Sequence, residues 1–253
     1  EDPRIRYVYQ PNFGAAARPK NTGLREAVGQ YIAFLDHDDE WLPKKIERHL
    51  YFFENPQYRD VGLLATNIMI VNKEDGSRLE HKMPKKEESL ERLLERNFIF
   101  CSSGVMVRRE VIDKVGLFDE NFKLGEDWDM WLRIALVSEL DYIYEPLYHF
   151  NRHSGTVTNN LKSRVRIADY EYGIEKHLET YKRYPKQFSY RLLTMGRICY
   201  IAGARKKGVK FFLKSIKANP LEWRAYINLF FAILGPFFYN LFLSTRNKMK
   251  SND

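Results

Sequence analysis

"YIAFLDHDDEWLP", residues 31–43, passes from a short apolar run into three carboxylates within four positions, then a tryptophan and a proline. The apolar run 31–35 reads as a buried β-strand, and Pro43 suits the first turn of a helix running through "KKIERHLYFFE" (44–54). Asp36, Asp38 and Asp39 therefore leave the C-terminal end of a strand, where open α/β sheets bind their ligands. Carboxylates so crowded repel one another, and a divalent cation carrying a phosphate is the usual partner that makes the crowding favourable. An acidic helix N-terminus favoured by the helix dipole is the plainer alternative. An EF-hand loop is excluded, because Trp41 stands where that loop needs glycine and Pro43 begins a helix inside it.

Upstream, "IRYVY" (5–9) reads as a strand, "QPNFGAAARPKNTG" (10–23) as a loop and "LREAVG" (24–29) as a short helix. Downstream, strands are expected over 61–71, 98–107 and 141–150, with helices at "ESLERLLER" (88–96), "RREVIDKVG" (108–116) and "WDMWLRIALVS" (128–138). Strands alternating with helices over 150 residues argue for an α/β sheet. From about Asn160 only helices are expected, cut at "YP" (184–185), "KKG" (206–208) and "NP" (219–220). The stretch "AGARKKGVKFFLKSIKANP" (202–220) has the pattern of one helix-turn-helix repeat unit.

The stretch "AYINLFFAILGPFFYNLFL" (225–243) carries no charge and is flanked by Arg224 and Arg246. Its length is near the lower limit for spanning a bilayer. Gly235-Pro236, Asn228 and Asn240 argue instead for a broken or in-plane helix pair, and the basic flanks for peripheral attachment to a membrane. Packing on the domain is the plainer alternative.

The 253-residue chain has 44% hydrophobic and 29% charged residues, which excludes disorder as the default. A net charge of +8 favours anionic partners without choosing among phospholipid, nucleotide and nucleic acid. Nucleic acid is set aside, since no recognition motif or basic-aromatic stripe accompanies the charge. Cys101 and Cys199 have no CxxC spacing, which suits a reducing compartment and no structural zinc.

Three further groups could carry chemistry. "GEDWDMWLR" (125–133) opens a helix with Glu126, Asp127 and Asp129, and Trp128 and Trp131 offer an amphipathic platform for a ring-bearing ligand. A carboxylate beside such a platform could take a proton from a hydroxyl, although acidic capping alone would explain it. His153, in "FNRHSGTVTNN" (150–160), follows the last expected strand and could fold back as a metal ligand. Arg18, Lys20 and Asn21 lie in the Gly/Ala loop, where short side chains let a backbone approach phosphate.

Together these motifs resemble the family 2 glycosyltransferases. The spacing N-x-G, P-K-N-x-G-L, A-x-G-x-Y-I-x-F-L-D-x-D-D-x-W-x-P (12–43) is similar to the donor half of that family, and "SSGVMVRREVIDKVGLFDENFKLGEDWDMWLRIA" (102–135) to its acceptor half. The resemblance covers roughly residues 5–155. It implies a GT-A (Rossmann-like) mixed sheet flanked by helices over 1–155, then an all-helical C-terminal region, 156–253. It also implies Mg²⁺ or Mn²⁺, a UDP-, GDP- or dTDP-sugar donor, and single inverting displacement onto a hydroxyl of a glycan or lipid-linked acceptor.

The same resemblance suggests roles for residues. Asp38 would bind the metal, Asp36 the ribose or metal-bound water, and Asp39 would support them. His153 would complete the metal's coordination. Asp127 would be the general base with Glu126 beside it in an acceptor site that also draws on Trp128, Trp131 and Ser103. Lys20 takes the place of the family's usual arginine, keeping the charge without the bidentate fork, and Arg18 and Asn21 would flank the donor. A further β-α-β unit is expected upstream of residue 1, holding much of the base pocket. The setting implied is surface-polysaccharide synthesis, in the cytoplasm at the inner face of the plasma membrane. A non-catalytic sugar- or membrane-binding remnant of the fold is the competing reading.

Overall fold

Residues 61–71 are apolar at nearly every position, which suits a strand covered on both faces. In a computed structural model describing residues 2–152 and 163–250, this is the central strand of a mixed sheet. The elements of the first part are α1 (Ala17–Glu26), β1 (Tyr31–Ala33), β2 (Glu40–Trp41), α2 (Lys45–Glu54), β3 (Val61–Asn72), β4 (Arg78–His81), α3 (Ser89–Glu95), β5 (Val105–Arg108), α4 (Arg109–Val115), α5 (Glu126–Ala135) and β6 (Glu139–Arg152). The strand order is β1-β5-β3-β6-β2, with β4 pairing the far half of β3. β3 runs parallel to β6 and antiparallel to β5, and β5 is antiparallel to β1, so β1, β3 and β6 point the same way.

By contacts the chain divides into two units, residues 1–89 with 99–159, and 90–98 with 160–253. Segment 90–98 thus joins the helical unit, where a single cut at 155 was expected. On one side of the sheet Phe53, Val61, Leu64 and Met106 form a core with Tyr31 stacked on Phe53 at 4.9 Å. The helical unit contains α6 (Ser163–Lys176), α7 (Leu178–Arg183), α8 (Pro185–Ile201), α9 (Arg205–Ala218), α10 (Trp223–Leu234) and α11 (Pro236–Lys250).

The architecture is the expected one, a mixed sheet with flanking helices and a helical C-terminal region, but four local expectations fail. Residues 5–9 pair with no strand among the described residues and leave Tyr7 and Tyr9 exposed, because a ladder needs a partner edge. The supposed loop 10–23 gives its second half to α1: Pro19 falls in the first helical turn, where its missing N–H is no loss. In 98–107 only Val105 onward is strand, and 102–104 is a 3₁₀ turn. The "KKG" break is absent, since Lys206–Gly208 lie inside α9. The chain turns instead at Gly203, whose φ of 86° suits glycine. The breaks at 184–185, 219–220 and 235–236 stand where expected.

Candidate active site

β1 ends at Ala33 and β5 begins at Val105 on the same edge of the sheet, because the two are antiparallel. The carboxylate loop after β1 therefore meets the 101–104 turn before β5. The backbone N–H of Asp36 donates to Ser103 Oγ (3.0 Å), and Trp41 Nε1 donates to the Ser103 carbonyl (2.8 Å). Trp41 also anchors the loop's far side, since β2 pairs with β6 in the register Trp41↔Tyr148. From the end of β6, Asn151 holds the same loop: its Nδ2 donates to the Asp38 carbonyl (2.7 Å) and its N–H to Asp39 Oδ1 (3.3 Å). Gly104 lets the Tyr148 ring lie against this turn, since a Cβ there would stand 2.5 Å from Tyr148 Cε1.

Asp36, Asp39 and Cys101 form the resulting cluster, their ligand atoms all within 4.8 Å of one another. The Cys101 thiol faces Oδ2 of Asp36 (3.3 Å) and of Asp39 (3.1 Å), one proton serving both. Burial pushes this thiol well above its ordinary value, and the two carboxylates push it further, so it is neutral near pH 7. Burial also raises the Asp39 carboxyl, against hydrogen bonds from Ser103, Cys101 and the Asn151 N–H. Two carboxylates and one thiol are thus the groups that could hold a cation here.

The second half of the site is carried by the N-terminus of α5, which Gly125 starts from a left-handed φ of 92°. Glu126 is buried and accepts from Lys20 Nζ at 3.0 Å, while Lys20 Nζ also donates to Ser102 Oγ at 2.8 Å. Burial pulls the Lys20 ammonium down, but the charges of Glu126, Asp127 and Asp36 outweigh it and the group ends above its ordinary value. One cation thus sits in the field of both acidic groups. Asp127 is half-buried, and its Oδ1 accepts from the Trp128 N–H (2.7 Å).

The structure therefore brings Asp36, Asp39, Lys20, Glu126 and Asp127 together and moves other expected residues elsewhere. Asp38 gives its carbonyl to Asn151, and the ligand-atom cluster found among the described residues is Asp36, Asp39 and Cys101. Ser103 is fully buried and spends its hydroxyl on Asp36, so it braces the donor loop and is not open to an acceptor. The Trp platform is likewise corrected. Trp131 is 0% and Trp128 3% exposed, and their rings meet Phe34, Phe118 and Phe122 edge-on in the core.

Asn21 is also buried, giving Nδ2 to the Phe118 carbonyl (2.9 Å) and taking the Phe118 N–H on Oδ1 (2.8 Å), so it latches a loop. Arg18 pairs with Glu120 (2.9 Å) and covers the Phe13 ring at 4.2 Å. His153 lies outside the described residues. Cys101, Ser102 and Asn151 were missed. Their only signal was position: two precede β5 and one ends β6, at the edge where Asp36 emerges.

Residues 1–116 match the family described as glycosyl transferase family 2. An uncharacterized glycosyltransferase of Rickettsia prowazekii is 27% identical over 173 residues, covering 66% of this chain and 53% of that protein. A glycosyltransferase of Methanocaldococcus jannaschii is 30% identical over 154 residues, 59% of this chain and 51% of that protein. WcaA of Escherichia coli, whose name places it in colanic acid biosynthesis, is 26% identical over 202 residues, 78% of this chain and 69% of that protein. The chain spans about half the length of the first two. S. aureus TarS 1–349 superposes with a TM-score of 0.46 at 14% identity, covering 87% of this chain and 71% of that one.

Proposed function

We propose that the chain is the working part of a metal-dependent, inverting glycosyltransferase that moves a sugar from a nucleotide diphosphate to a hydroxyl of a glycan or lipid-linked acceptor. The observation that supports this best is the pairing of two carboxylates at a strand's C-terminal end with a lysine that faces a second acidic pair. Bound at Asp36 and Asp39, a divalent cation supplies charge neutralisation for a diphosphate. Asn151, Ser103 and Trp41 hold that loop in place before any ligand arrives, which limits the reorganisation that binding requires. Lys20 adds positive charge within the field of Asp36.

Of the three acidic residues that open α5, Asp129 is paired with Arg133 at 2.9 Å, and the other two take different roles in this reading. Glu126 is committed to Lys20 and fixes its ammonium; Asp127, half-buried, is the base. Its carboxylate takes the acceptor hydroxyl's proton as that oxygen bonds to the anomeric carbon and the bond to the diphosphate oxygen breaks. The likeness to WcaA, named for colanic acid biosynthesis, supports a place in surface-polysaccharide synthesis. Release of nucleoside diphosphate from UDP-, GDP- and dTDP-sugars tests the assignment. Asp127→Asn should lower turnover about 10²–10⁴-fold while donor affinity is kept; turnover equal to the parent's would remove Asp127 from this role.

A further inference from the structure

The helical unit carries an apolar surface that its own core does not use. On the inner side of α10 and α11, Ala225, Ala232 and Tyr239 complete a buried cluster with Leu193, Tyr200 and Phe212. The polar groups there are paired. Tyr239 Oη donates to Asn228 Oδ1 (2.9 Å), Arg197 Nε to the same oxygen (3.0 Å), and Asn228 Nδ2 to the Arg224 carbonyl (2.7 Å). Phe231 stacks on Phe242 at 4.7 Å, so the two helices hold each other across the Gly235 turn. Outside that packing, Ile233 is 71% and Phe237 74% exposed, one on each side of the turn, and Phe230, Leu234, Phe238 and Leu241 are exposed with them. A patch of this kind marks an interaction surface.

The order of residues along the helices says what kind. No charged residue occurs from 225 to 245. Cations lie at the helix ends remote from the turn: Arg224 at the start of α10, and Arg246, Lys248 and Lys250 in the last turns of α11. Beside Arg224 stand the exposed amphipathic rings of Trp223 and Tyr226. Arg224 is already paired with Glu222 (2.6 Å). Exposed Lys206, Lys210 and Lys214 on α9 add further positive charge.

Phe, Ile and Leu lie at the turn end, then Tyr226, Arg224 and Trp223 on α10 and Arg246, Lys248 and Lys250 on α11, the passage from apolar to amphipathic and basic residues that a bilayer interface presents. A protein partner would not require that order along a helix axis. α10 has 12 residues and so is about 18 Å long, more than the roughly 5–10 Å that interfacial helices penetrate. Among the described residues no helix is long and apolar enough to cross a membrane.

We propose that the turn end of α10 and α11 enters the interface of an anionic phospholipid bilayer, with the basic helix ends held above it within about a Debye length of its negative surface. This assignment concerns the helical unit and does not rest on the sugar-transfer reading. The test is sedimentation of the full chain with vesicles of equal parts phosphatidylglycerol and phosphatidylcholine, and of phosphatidylcholine alone, with light scattering in the absence of lipid.

The parent should pellet with the anionic vesicles, less so in high salt, and the double variant Ile233→Ser/Phe237→Ser should bind at least about tenfold less with unchanged ellipticity and melting. If that variant melts lower, Leu241→Ser, exposed on α11, is read in its place. Failure of the parent to pellet, or equal pelleting of both variants and parent, overturns the proposal. Equal binding to phosphatidylcholine alone overturns the anionic assignment. Self-association abolished by the double variant, without vesicle binding, would make the face a contact between copies and overturn it too.

Discussion

Lys20 ties the two halves of the site, and its removal should be costly on two counts. Lys20→Met leaves the buried Glu126 without its cation, which costs on the order of 3–5 kcal/mol. A lower melting temperature and lost nucleotide binding are both expected, and a variant that melts like the parent would show that the pair is not formed. Lys45 makes a different prediction. It is fully buried, its Nζ has no hydrogen-bond partner among the described residues and lies 4.5 Å from the Trp41 ring centre, and burial pulls its ammonium down to about 7.

The unfolded chain holds that Lys45 proton up to its ordinary value of 10.5, so between about 7 and 10.5 folding releases it and stability rises with pH. Melting followed from pH 6 to 10 should show a positive slope that Lys45→Met removes, with the variant more stable at neutral pH; an unchanged slope would contradict this. The carboxylate crowd after β1 was legible from spacing alone. Cys101 was not, because its role arises only when a segment 65 positions from Asp36 returns to the same sheet edge.

Among elements, the turn before β5 is the most constrained. Gly104→Ala would drive a Cβ to 2.5 Å from Tyr148, whose ring is fully buried, and should cost about 1–3 kcal/mol in thermal unfolding. No change would mean that β6 can move away freely. Asn21 performs the corresponding task for the 117–120 loop: Asn21→Leu strips the Phe118 N–H and carbonyl of their partner, at about 1–3 kcal/mol for each buried group left unmade.

Amide exchange at Phe118 should accelerate in Asn21→Leu, and protection equal to the parent's would remove the latch. β3 was readable because a strand covered on both faces is uniformly apolar. α1 was not, because Gly, Pro and Asn suggest a loop while Pro19 in fact occupies a first turn. Trp128 and Trp131 misled for a related reason. Periodicity shows that a helix has an apolar face, but not whether that face meets solvent or core.

For the molecule as a whole, the change from alternating strands and helices to helices alone near residue 160 was visible in the sequence. The assignment of 90–98 to the helical unit was not, because it depends on contacts such as Tyr181 Oη to the Leu94 carbonyl (2.9 Å), which no local pattern encodes. The central proposal is the donor site in the sheet-bearing unit. Calorimetric titration of UDP, then GDP and dTDP, into the chain with and without Mn²⁺, and into Asp36→Asn, tests it most directly. Nucleotide binding that requires the cation and is lost in Asp36→Asn is expected. Binding that is indifferent to both, or absent for all three nucleotides, would contradict it.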